Sequence, residues 1–198
     1  MTISVLEDWP LENLPLDEKR GTWAMALTIA TEALLFVSLF FAYFYIGRLH
    51  RPWPAEPPKI ALAIVLLIIL LVSSATLWAS EHLLSRGSRR GARGLLIVTI
   101  ALGLLFIVVQ ALEYRNHLRE LRPTTDAYGS LFYVITSFHA LHVVIGLLMM
   151  GFVALLPSLD PDRSPHRPLH NVALYWHFVD VVWIFVVGLI YLLPRWSR

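Results

Sequence analysis

The chain has 198 residues, of which 57% are hydrophobic and only 15% are Asp, Glu, Lys or Arg, against roughly 25% in an ordinary soluble domain. That balance excludes a soluble globular domain, which needs a polar shell this sequence has no residues to build. Sixteen basic and fourteen acidic side chains leave a formal charge of +2, and the lack of cysteine excludes disulfides, thiolate metal sites and cysteine nucleophiles.

The first twenty residues, MTISVLEDWPLENLPLDEKR, hold five acidic residues and no basic start followed by an apolar run. They are not a cleavable signal by that pattern. The expectation is a polar tail over residues 1–22, with the first apolar helix acting as its own insertion signal.

Five apolar segments follow, at about residues 23–47, 60–84, 94–112, 128–156 and 172–193. Four reach the ~20 residues that cross a hydrocarbon core, and the third falls one short. In lipid a backbone must satisfy its own hydrogen bonds, so each run is helical. A barrel would show alternating strands of about ten residues instead.

The connectors are short and polar: RPWPAEPP after the first segment, SRGSRRGARG after the second, RPTTD before the fourth and PSLDPDRSPHRP after it. Repeated prolines end the first helix. Short connections place sequential helices side by side. The fold class is therefore all-α: a polytopic membrane protein with five transmembrane helices in one bundle, over residues 23–198.

Every Lys and Arg falls in a loop, a tail or a helix end, eight on each side of the membrane. The positive-inside rule does not decide the orientation by count. The densest cluster, Arg86 to Arg93, favours an N-terminus inside. The arginines suit lipid headgroups rather than nucleic acid.

Polar residues inside the apolar runs carry the remaining information. Glu32 lies about nine residues into the first segment, where a carboxylate costs several kcal/mol unless it is paired, hydrated or protonated. It must face other helices or a polar cavity. Two readings stand: a helix-to-helix hydrogen bond, or a role tied to proton supply or bound lipid. Asp180 follows His177 by three residues and shares its helical face. His139 and His142 are also three apart. With His177 they allow a metal or heme site as an alternative to packing and carboxylate pairing. Glu81 with His82, and Glu113 with Tyr114, lie near helix ends, where headgroups or a neighbouring subunit are within reach. Gly103, Gly146, Gly151, Ser73, Ser74 and Ser80 read as close-packing positions. No phosphate loop, HExxH, nucleophile elbow or transporter-like repeat is present, so the residues alone describe a noncatalytic subunit or a small helical anchor.

The segments resemble subunit III of the heme-copper respiratory oxidases, the cytochrome c and quinol oxidases. The resemblance rests on Glu32 followed by FFAY at residues 40–43, LLVSSAT at 70–76 with Trp78, QALEY at 110–114, YGSLFYVITSFHALHVVIGL at 128–147, and YWHFVDVVWIF at 175–185, which includes Trp176. These occur in the family's order. The resemblance implies a noncatalytic chain that binds no heme, copper or other metal itself. Those groups would sit in a partner, catalytic subunit I, with subunit II in the same complex. It also implies phospholipid between the helices, support of proton uptake and sustained turnover, and a bacterial cytoplasmic membrane with the N-terminus inside and the C-terminus outside. Glu32 matches the family's carbodiimide-reactive glutamate. Many relatives have seven helices, and this chain matches the last five. The wall that the other two would supply to a lipid cleft is an open question. The five-helix form also occurs in quinol oxidases and in an accessory protein of nitric oxide reductase, so the electron donor is not legible.

Overall fold

The computed structural model describes residues 17–50, 53, 60–117, 127–155 and 166–193. These form five helices: α1 (Asp17–Leu49), α2 (Ile60–Ser85), α3 (Arg89–His117), α4 (Ala127–Leu155) and α5 (His166–Val186), the last continuing as a π-helical segment, Val187–Leu192. All five are long and apolar enough to cross a membrane. The first sixteen residues of the expected tail lie outside the described residues, as do nearly all of the proline-rich connector and the RPTTD and PSLDPDRSP stretches.

Helix ends depart from the sequence reading in a consistent way. α1 starts six residues before residue 23, α3 five before residue 94 and α5 six before residue 172. Hydropathy locates the hydrocarbon, but helical hydrogen bonds continue into the headgroup layer, where polar side chains cost little. In α5, Pro168 sits in the first turn, where a missing N–H breaks no intrahelical bond.

The expected loop SRGSRRGARG shrinks to a tight reversal. Gly87 adopts φ +80°. Its N–H donates to the Leu84 carbonyl and that of Ser88 to the Leu83 carbonyl. That pattern is a Schellman close, and it needs the left-handed conformation that glycine adopts without strain. The Ala92 N–H already donates to the Ser88 carbonyl, so the next helix opens at once and absorbs the arginines.

Adjacent helices pack through repeats of three and four. α2 buries Ala63, Leu66, Leu70, Ser73, Leu77, Ser80 and Leu84, the heptad spacing of a left-handed helix pair. α2 packs more extensively on α3 than on any other helix. α5 touches α1, α2 and α4 and forms the interior helix. α1 lies on the outside, and of its described hydrophobic side chains only Phe36 and Tyr43 are fully buried.

The close-packing expectation divides. A Cβ on Gly103 would lie 2.7 Å from Leu147 and 3.0 Å from the Trp176 ring, and one on Gly146 would lie 2.7 Å from that same ring. The two glycines therefore form the slot that holds Trp176. Gly151 has open space beside it, so it is not a packing position within this bundle.

Candidate functional site

Glu32, whose carboxyl side chain is more exposed than those of Glu81 and Asp180, joins α1 to α4. Glu32 Oε2 lies 3.1 Å from His142 Nε2. The Glu32 side chain is 34% exposed and that of His142 6%, so the carboxyl reaches from the bundle surface to an interior imidazole. His142 Nδ1 lies 2.7 Å from the Phe138 carbonyl, one turn back. A carbonyl only accepts, so Nδ1 must carry a proton. Nε2 then bonds to Glu32 only if a further proton lies between them, on the carboxyl or on the ring. The hydrogen bond of the pair therefore contains one proton, on the carboxyl or on the ring. Phe36 packs edge-on against the imidazole at 5.0 Å, Tyr175 stacks parallel to it at 6.4 Å and Phe178 closes another side. These rings keep the proton among apolar walls on the inner side of the pair.

His139 does not join that site. It is fully buried, its ring 4.7 Å from that of Trp183 and edge-on to Phe106, and neither ring nitrogen has a hydrogen-bond partner among the described residues. The three-residue spacing of His139 and His142 thus gives two different surroundings rather than one ligand pair. Among the described residues no group of three His, Asp or Glu converges as a metal site would require.

His177 and Asp180 do come together, through Ser74, a residue whose sequence context reads as a packing position. Their closest approach is 3.8 Å, from Nδ1 to Oδ2. The Ser74 hydroxyl of α2 donates to Asp180 Oδ2 and lies 2.8 Å from His177 Nδ1. Because its one proton goes to the carboxyl, the imidazole donates Nδ1–H to the hydroxyl oxygen. Neighbouring Ser73 accepts the indole N–H of Trp176 at 3.0 Å. Ser80 donates to the Ala92 carbonyl at 2.7 Å and fits the packing reading.

Five further positions sort by depth. Glu81 bonds His170 Nδ1 at 3.1 Å, and His82 stacks on Trp78 with nearly parallel rings. These side chains line a recess of about 350 Å³ between the end of α2 and the start of α5. Glu113 departs from the expectation of headgroup or subunit contact: it is completely buried, accepting from Gln110 and from the Tyr191 hydroxyl, each at 3.2 Å. Tyr114 donates to Thr136 at 2.7 Å between α3 and α4. Trp176, expected at an interface or lipid contact, is wholly interior. Tyr191 lies on the π-helical segment. The Leu193 N–H donates to the Gly188 carbonyl, five residues back. That widened turn shifts the register that a regular helix would give. Ser74, Gln110, Thr136 and Tyr191 were all missed as site partners, and only the serine cluster of α2 hinted at one of them.

Over residues 18–197 the sequence matches the family of cytochrome c oxidase subunit III. The chain belongs to that family. Among its relatives, cytochrome c oxidase subunit 3 of Synechocystis sp. is 37% identical over 177 residues, covering 86% of this chain and 75% of that protein. The subunit of Gallus gallus is 36% identical over 183 residues, covering 87% and 69%. That of Thermostichus vulcanus is 34% identical over 172 residues and covers 84% of each. For this subunit III family member the resemblance drawn from its five motifs is therefore a family relation spanning all five described helices.

Proposed function

We propose that this chain is the noncatalytic subunit III of a heme-copper terminal oxidase in a bacterial cytoplasmic membrane, with its N-terminus inside. It packs beside a catalytic subunit I that holds the heme and copper, within a complex that also contains subunit II. The observation that carries this reading is the match over residues 18–197 together with relatives named cytochrome c oxidase subunit 3. Those names favour cytochrome c as electron donor over a quinol, and an oxidase over a nitric oxide reductase.

The site suggests what the subunit contributes. Glu32 and His142 share one proton at the bundle surface, a suitable store beside a partner that consumes protons. An apolar recess of about 420 Å³ between α4 and α5, lined by Leu148, Met149, Phe152 and Val172, suits a phospholipid chain. The test is to strip this chain from the purified oxidase and follow turnover. The reading expects full heme content, with activity that is lower or decays faster. Loss of heme on removal would show a cofactor-holding role and contradict it.

A further inference from the structure

α5 carries a second heptad seam that no helix among the described residues covers. Its positions are His170, Leu174, His177, Val181, Ile184 and Gly188, spaced four, three, four, three and four, and none is buried while most residues between them are. The spacing matches the buried seam of α2, which is covered. Val181 and Ile184 are about half exposed. Leu174 is partly covered and adds an apolar side chain to the same line. Gly188 has open space beside it, and a glycine there would let another backbone approach closely.

A polar group sits in the middle of this seam. The span runs from Pro168 to Leu192, and His177 lies nine residues in. That is roughly 14 Å along the axis, near the centre of a ~30 Å hydrocarbon core. Its side chain is 41% exposed. Nδ1 is engaged by Ser74, whereas Nε2 makes no hydrogen bond within the described bundle and is not enclosed by it. A half-open imidazole at that depth is expensive against acyl chains, and such residues face protein or water rather than lipid. The Ser74 and Asp180 contacts also fix the ring, so Nε2 cannot turn inward.

We propose that this α5 seam, between α1 and α2, docks a transmembrane helix of another subunit of the oxidase, and that the helix places a hydroxyl or amide side chain against His177 Nε2. A hydroxyl or amide can both donate and accept, so it answers the nitrogen whether or not that nitrogen bears a proton. The Ser74–His177–Asp180 cluster then serves as a polar key that sets the depth of the docked helix. This inference rests on the reading of the chain as an oxidase subunit.

The test uses the intact complex with a photo-crosslinking residue placed at Val181, which is exposed on the seam, and at Leu105 of α3 as an off-seam control. Val181 should crosslink to a different membrane subunit, and Leu105 should not give that product. In parallel, His177→Leu should reduce partner subunit retained after a detergent wash by about fivefold or more, and His177→Gln should restore most of it. Crosslinks from Val181 to lipid alone or to a second copy of this chain would overturn the proposal, as would unchanged retention in His177→Leu. If the unmodified tagged chain retains no heme-bearing partner at all, the functional reading fails instead, which separates the two.

Discussion

Replacing Gly146 with alanine probes the slot that organises the centre of the bundle. The added Cβ would lie 2.7 and 2.9 Å from two carbons of the Trp176 ring, inside van der Waals contact. The ring cannot easily withdraw, because it is fully buried, its tip lies 3.0 Å from where a Cβ on Gly103 would stand, and its N–H is bonded to Ser73. Overpacking of this kind costs about 1–3 kcal/mol. Loss of the Ser73 bond would add about 1 kcal/mol. Alanine regains roughly 1 kcal/mol over glycine in helix propensity. The net expectation is a destabilisation of about 1–3 kcal/mol. Gly151→Ala is the control, since nothing lies within 4 Å of its added Cβ, and it should be neutral or stabilising by up to about 1 kcal/mol. The assay is the thermal midpoint of the detergent-solubilised complex, read by the fraction surviving size-exclusion after heating. Equal midpoints for the two variants would refute the slot argument.

Other consequences are more local. Glu32→Ala should leave heme content nearly intact while lowering turnover or shortening its persistence, measured by oxygen consumption over successive cycles; complete loss of heme would point to assembly instead. Ser74→Ala leaves the Asp180 carboxyl and His177 without their bridging hydroxyl at the α2–α5 contact, and should lower stability by about 1–3 kcal/mol; a neutral effect on the thermal midpoint would show that the bridge is dispensable. Tyr191→Phe removes a donor to the buried Glu113 and should cost about 1–3 kcal/mol, whereas Tyr45→Phe, on an exposed tyrosine of α1, should stay within about 0.5 kcal/mol.

The five helices were legible because lipid demands long uninterrupted apolar runs, and nothing else in this composition competes with that signal. Their ends were less so. The arginines of residues 86–93 read as a loop, yet one left-handed glycine at Gly87 closes α2 in so few residues that most of them fall inside α3. Pro168 read as part of a connector, although a first helical turn accepts it.

The site residues were recognisable singly, since charge or imidazole inside hydrocarbon is conspicuous. Their pairing was not. Glu32 meets His142 across 110 positions, and no periodicity within α1 or α4 encodes that meeting. Local spacing rightly placed His177 beside Asp180 but could not supply Ser74 from α2. It also suggested a shared surrounding for His139 and His142, which point to different neighbours. Tyr191, on the π-helical segment, reaches Glu113 of α3 across 78 positions, which no local spacing encodes.

The most direct test of the account is purification of the complex in mild detergent by a tag on this chain. The account predicts a co-purifying catalytic subunit with heme absorbance bands and bound copper, at a fixed ratio to the tagged chain. Partners that lack both heme and copper would contradict it.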